Sequence, residues 1–522
     1  MKFIFIICIA FLNYFSASES LKAAEKINIE FEEMSIPITI DQLSNLEDYS
    51  GDSKEIIDWF KENGFKKIFE LSKFLEFPVF RQEGFSKSIL RSWMGRKILS
   101  ELSNTIIIPE DNNGIEFFNT IENLLEKKNE ISTLDILEEI PAEEIFLDID
   151  NLITIISSWK KELLAQQNLI KKLNQIEGSN QLNPLKSEEK DSFYEFKSSI
   201  KKLPVSHREN LLQIEVWEPI EEIDNRDLII FMPGLGGAIS NFRWIGKELS
   251  RRGWPVVFIE HEGSNSDALE KVIKGNEAMP GGADIYLYRV KDLHSVIVAH
   301  EKGLFGFKEK SYILMGHSLG SLVSFLYEGN SPIDGFNKRC DRALVDFALT
   351  NLSKLLQCQL SEIPIPSYKG SNNLKALIGF NSFGSLIWPN EKKSGIRVPI
   401  LLIGGTYDLI TPLLNEQFKI FLSTKSNSLN RFLVIEGASH FSPIRVINNN
   451  SDKNEGTDIF KIRNDLIGSH PHDVQNLSIK IILKFLDNLY DKNGLDVLIK
   501  SSENNLIYHL LGEEEIEKIS QF

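Results

Sequence analysis

Apolar and polar residues alternate near the start of the chain, in INIEF and MSIPITI, and a two-residue period predicts a short strand pair. From Asp41 to about Asn174 the period lengthens. Segments such as SKEIIDWFKENGFKKIFELSKFLEF and IEFFNTIENLLEKKNEI place apolar residues three and four apart, with Pro78, Pro109 and Pro141 as interruptions. This pattern predicts a small, mainly helical domain over residues 25–175. The polar stretch QIEGSNQLNPLKSEEK then predicts a linker at 176–190. Beyond it, FYEFKSSIKKL and NLLQIEVWEP predict two strands, and short apolar runs then alternate with helical segments. LIIFMPG, PVVFIEHEGS, YILMG, LKALIGFNSFG, VPILLIGGTYD and RFLVIEGASH are the successive strands. Such alternation predicts an α/β domain over residues 191–490, with a mostly parallel sheet covered by helices. Residues 491–522 are expected to form a helical tail.

Composition narrows the class. The 522 residues suffice for two domains, and 42% hydrophobic with 25% charged residues is ordinary globular usage. A net charge of −16 argues against nucleic acid as a partner, because phosphate recognition needs basic patches. At the N-terminus, Lys2 precedes the apolar run FIFIICIAFLNYF and the small and polar residues SASESLKAA. That arrangement predicts a secretory signal at residues 1–24 and an exported protein, periplasmic or extracellular; an uncleaved membrane anchor is the alternative. Removal of Cys8 with the signal leaves Cys340 and Cys358. Their separation is far beyond disulfide reach on one unbroken helix, but a helix–turn–helix at Thr350 and Asn351 would bring them together.

In a parallel sheet, functional groups gather at the carboxyl ends of strands. Those ends carry Gly234–Gly237, Glu260, His261, Ser318, Asn381, Asp408 and His440. A serine hydroxyl is a weak nucleophile and needs a histidine to take its proton, which in turn needs a carboxylate to orient it. Ser318, Asp408 and His440 supply these groups in chain order. Asn381, at an end where an acid would also serve, lacks the charge, so Asp408 is the expected acid.

The motifs FMPGLGG, MGHSLGS, VPILLIGGTYDLITP and IEGASHFSP, in this order, resemble those of the α/β-hydrolase superfamily. The resemblance covers about residues 190–490 and implies the α/β-hydrolase fold. It also implies catalytic Ser318, Asp408 and His440, and an oxyanion site made by the amides of Leu235 and Leu319. The usual His-Gly-x-Gly of the oxyanion turn is changed here, with Pro233 in place of His. The order of signal, uncharacterised helical domain and hydrolase is similar to a narrower group common in cyanobacteria. Its hydrolase part resembles dienelactone hydrolases and secreted platelet-activating-factor acetylhydrolases.

The resemblance implies a serine esterase that needs no cofactor and no metal and acts on a small ester or lipid. A lipase or phospholipid deacylase with peripheral membrane contact, and an inactive hydrolase fold used for binding, are the alternatives. GLGGAISNF superficially mimics a dinucleotide fingerprint, but Ile239 occupies the third glycine position. HPHD (His470, His472, Asp473) reads as a solvated loop rather than a metal site. Finally, about 45 residues (328–373) are inserted before LKALIGF. Ala343, Phe347, Leu352, Leu355 and Leu356 give them an apolar helical face, expected either to pack on the core or to roof the cleft above Ser318.

Overall fold

A computed structural model describes most of residues 26–520, apart from 45–74, 82–92, 177–192, 274–283, 445–470 and shorter stretches such as 346–350. The expected signal at 1–24 and nearly all of the expected linker lie outside the described residues. Two compact units divide the chain, the first reaching Ile155 (without Ser92–Met94) and the second running from Ile156 to Phe522.

Among its described residues, the first unit contains strands beyond the one pair that its sequence pattern predicts. Its strands are β1 (Lys26–Phe31), β2 (Met34–Ile38), β3 (Pro78–Arg81), β4 (Ile106–Ile107), β5 (Glu130–Ser132) and β6 (Glu144–Asp148). They form a four-stranded sheet in the order β2-β1-β6-β4 and a β3-β5 pair. The predicted strand pair is present as β1 and β2, but β6 joins β1 in parallel from more than a hundred residues away. Short strands such as EIFLD, with no neighbouring partner in sequence, leave little periodic signal. Ile27, Ile29, Ile145 and Leu147 of this sheet share a core with Phe117, Ile121 and Leu124 of helix Ile115–Lys127.

The second unit is built on a ten-stranded sheet. It contains β7 (Phe196–Leu203), β8 (Leu212–Pro219), β9 (Leu228–Met232), β10 (Val256–Ile259), β11 (Tyr312–His317) and β12 (Leu374–Phe380). It continues with β13 (Ile400–Gly405), β14 (Arg431–Ile435), β15 (Leu498–Glu503) and β16 (Leu506–Leu511). The order is β15-β16-β14-β13-β12-β11-β9-β10-β8-β7. The six strands β10, β9, β11, β12, β13 and β14 run parallel, and an antiparallel pair extends each edge. The central strands are apolar on both faces: Ile230 and Met232 point into one core, Ile229 and Phe231 into the other. Burial on both sides is why these segments read as unbroken apolar runs.

Two expectations about boundaries change. The unit boundary falls inside helix Ile149–Leu173, not at the polar stretch after it, because Leu169 and Leu173 are fully buried in the second unit's core. The expected helical tail is instead the hairpin β15–β16 followed by helix Glu513–Ser520. LIYHLL pairs with β14 and so adds buried strand to the sheet, while Asn504 turns the chain with φ +47°. The insertion at 328–373 contains helices Phe336–Val345 and Ser353–Gln359, and Phe347 lies outside the described residues.

Between those helices Asn351 adopts φ +55°, and Cys340 and Cys358 are joined by a disulfide with their Cα atoms 5.4 Å apart. Glu416, fully buried, fastens the insertion from below. It accepts from Asn351 Nδ2 (2.7 Å) and Gln357 Nε2 (3.0 Å) of the insertion, and from Ser385 Oγ (2.9 Å) and the Gly384 and Ser385 amides.

The crosslink closes a loop of 18 residues, for which the loss of unfolded-state entropy is worth about 3 kcal/mol. Replacing both cysteines by serine is expected to lower stability by about that amount in urea unfolding of the oxidised protein. Two free thiols in wild-type protein purified without reductant would contradict the pairing.

Candidate active site

Because the six central strands are parallel, their carboxyl ends share one edge of the sheet, and the loops leaving them converge there. Ser318 follows β11 directly and begins the turn into helix Leu319–Gly329. It adopts φ +51°, a left-handed conformation that a β-carbon disfavours. Glycine at 320 is what lets the helix pass so close to the neighbouring strand, since a β-carbon there would lie 2.0 Å from the Met232 carbonyl oxygen. Asp408 lies in the turn after β13, and His440 in the loop after β14.

The three side chains meet. His440 Nε2 is 3.0 Å from Ser318 Oγ, and His440 Nδ1 is 3.1 and 3.0 Å from the two Asp408 carboxylate oxygens. An ionised carboxylate only accepts, so Nδ1 carries the proton and Nε2 presents its lone pair to the serine hydroxyl. Asp408 is fully buried, whereas Ser318 and His440 keep 7% and 5% of their surface. Ser318 and His440 can therefore be reached from solvent, and Asp408 cannot.

Burial by itself would raise the Asp408 carboxyl. The His440 imidazole and the donors around Asp408 outweigh it and hold the group below the ordinary carboxylate range. Those donors are the Ile410 and Thr411 amides (3.0 and 2.8 Å), Thr411 Oγ1 (2.6 Å), Gln417 Nε2 (3.1 Å) and Asn381 Nδ2 (2.7 Å). Asn381, set aside as an acid in the sequence, thus stands beside the acid and donates to it. Its own φ of +49° and the donation of its amide to the Ile403 carbonyl (2.8 Å) fix it there.

The Leu319 amide is the first of its helix and has no intrahelical acceptor, and the Leu235 amide donates to no described acceptor. Both remain available, as the sequence reading of the oxyanion site requires. Gly234 packs against Ser318, since a β-carbon on it would be 3.3 Å from Ser318 Cβ.

Other strand-end residues do not join this cluster. His261 donates through Nδ1 to Asp292 (2.9 Å), and burial pushes its pKa down to about 4. Glu260 takes a hydrogen bond from Asn265 (2.7 Å), and burial raises its pKa. A surface crevice lined by Lys197, Arg226 and Glu309 lies at the opposite, amino-terminal ends of the strands, away from Ser318. Among the described residues there is no metal-type cluster of His, Cys, Asp and Glu; His472 and Asp473 lie on helix Pro471–Asp491, and His470 lies outside those residues.

Sequence reasoning missed several supports. His317 donates through Nε2 to the His440 carbonyl (3.0 Å), and burial, then the nearby His440 ring, push its pKa down to about 3, so it is neutral. Its place directly before Ser318 was the available signal. Gln166, on the helix assigned by pattern to the N-terminal domain, donates to the Asp408 carbonyl (3.3 Å), and no local pattern marks it. Thr411, which donates to Asp408, is a further example.

Because the Asp408 carboxyl is held below its unfolded value of about 3.9, its stabilising contribution is complete above that pH and is lost as pH falls through the folded value. Thr411→Val removes one donor to the carboxylate and is expected to cost about 1–3 kcal/mol at pH 7. Urea unfolding should show this gap narrowing by pH 3; a gap of equal size at both pH values would contradict the assignment.

A family described as "Alpha/beta hydrolase of unknown function (DUF1400)" matches the chain over residues 23–148. The matched segment lies in the first unit and contains none of Ser318, Asp408 or His440. No curated protein matches the chain. The family's description supports an α/β-hydrolase reading of the chain, with which the mixed sheet and covering helices of the second unit agree.

Proposed function

We propose that this protein is a serine hydrolase that cleaves carboxylic esters through an acyl-enzyme, with Ser318 as nucleophile, His440 as general base and acid, and Asp408 as the orienting acid. The observation carrying this reading is the His440 imidazole, spaced 3.0 Å from Ser318 Oγ on one side and 3.0 Å from Asp408 on the other. Ser318 Oγ attacks the ester carbonyl as His440 Nε2 takes its proton. Asp408 stabilises the resulting imidazolium. The tetrahedral oxyanion is received by the Leu235 and Leu319 amides. Collapse expels the alcohol, which takes the proton from His440, and water then repeats the sequence on the acyl-enzyme.

The insertion favours substrates with an acyl chain of limited length. Ser353 donates its amide to the Ile410 carbonyl (3.3 Å), which ties the insertion to the loop carrying Asp408. Leu355 is fully buried and Leu356 packs on the core, while Leu352, next to Ser353, is half-buried and keeps some apolar surface. A bounded apolar wall contributes about 0.8 kcal/mol per methylene buried until it is filled. We place the enzyme in an exported, oxidising setting, in which the Cys340–Cys358 crosslink would persist.

Ser318→Ala is expected to lower kcat on model esters by roughly four to six orders of magnitude with the fold intact. In wild type, kcat/KM should rise from acetyl to a medium-length ester and then fall. Full activity in Ser318→Ala would overturn the mechanism, and a flat chain-length profile would remove the acyl wall.

A further inference from the structure

Arg289 lies on helix Asp284–Glu301 and is 1% exposed, yet its guanidinium faces no carboxylate within hydrogen-bond distance. Its hydrogen bonds run to the loops that follow β9 and β10. One terminal nitrogen donates to the Pro233 carbonyl (2.6 Å), the other to the Gly234 (2.9 Å) and Ser264 (3.1 Å) carbonyls, and Nε donates to Ser264 Oγ (2.8 Å). The Ser264 carbonyl also accepts from the Gly236 amide (2.9 Å), so one buried cation closes a frame around the Pro233–Gly236 turn.

The carboxylates that attract this charge are Asp292, one helical turn away, and Glu260. Asp292 is in turn held by Arg208 (2.7 and 2.6 Å), His207 (2.8 Å) and His261 (2.9 Å). Burial nevertheless pushes the Arg289 pKa down to about 10, a value at which the group stays charged at neutral pH.

The geometry has a direct consequence for the Leu235 amide. A trans peptide is planar, with its carbonyl and N–H on opposite sides. The Gly234 carbonyl is bound by Arg289, so the Leu235 N–H of the same peptide is turned away from the guanidinium. Gly234 itself packs against Ser318. The Gly236 amide is committed to Ser264, and the Gly237 amide to the Gly234 carbonyl (3.2 Å), whereas the Leu235 amide is uncommitted. From this arrangement, and resting on the serine-hydrolase reading above, we infer that Arg289 is a positioning residue for the oxyanion site, holding the Leu235 amide ready for the charge that develops beside Ser318. The side chain that usually precedes such a turn is replaced by Pro233, whose carbonyl becomes one of the points that Arg289 grips.

Arg289→Met, Arg289→Lys and Ser264→Ala test the inference, each assayed per active site after titration to completion with a fluorophosphonate. Loss of one oxyanion donor typically costs 10²–10³ in kcat. Arg289→Met should therefore lower kcat about 10²–10³-fold with KM little changed. Arg289→Lys, a point charge that cannot grip both carbonyls, should fall in between, and Ser264→Ala should lose several-fold. The Ki of a trifluoromethyl ketone, whose adduct carries the oxyanion, should rise by the factor by which kcat/KM falls. Should Arg289→Met not fold, the other two variants carry the same comparison. Unchanged kcat and unchanged ketone affinity per active site, with only titre or melting temperature lowered, would overturn the inference and leave esterase function standing. A wild type that neither turns over esters nor binds the ketone would overturn both.

Discussion

The second unit is organised around a carboxylate that has been taken wholly out of water. An ionised group in that position is costly unless its oxygens are fully hydrogen-bonded. Asp408 meets the requirement by drawing donors from several separate segments: the turn that follows it, the end of β12, Gln417 and the His440 loop. Satisfying the carboxylate therefore fixes the relative positions of three strand ends. It also fixes the tautomer of His440, and with it the lone pair presented to Ser318. The strained φ of Ser318 is maintained by the same convergence, with backbone packed too closely around Gly320 for the turn to relax.

A second buried carboxylate makes an instructive contrast. Glu416 also accepts several hydrogen bonds, but among the described residues every donor is a neutral amide or hydroxyl, and none is a histidine. Asp408 holds the His440 ring by a hydrogen bond, whereas Glu416 joins the inserted helices to the loop after β12. The two lie eight positions apart in sequence, so the loop carrying Asp408 and the segment anchoring the insertion are one continuous piece of chain. Movement of the insertion would be felt at Asp408 through Ser353 and Ile410.

The α/β architecture was legible because double burial writes strands as unbroken apolar runs and the parallel topology collects their ends. That logic singled out Ser318, Asp408 and His440 from sequence order alone. What escaped were contacts between segments distant in sequence. β6 pairs with β1 across the whole first unit, and β16 pairs with β14 from beyond the region that resembled a hydrolase. Gln166 and Arg289 are polar residues on helices whose periodicity predicts only which face is apolar. Nothing in a helical pattern distinguishes a buried arginine bound to loop carbonyls from a solvated one. His317 was visible as a residue of the elbow, but its bond to the His440 backbone depends on a loop 123 positions away.

The central claim is that Ser318 is a nucleophile activated by His440 under the control of Asp408. It is tested most directly by treating the intact protein with a fluorophosphonate and mapping the adduct by peptide mass spectrometry. The account predicts a single adduct on Ser318 that forms far more slowly in His440→Ala and Asp408→Asn. An adduct on another residue, or equal labelling rates in all three proteins, would contradict it.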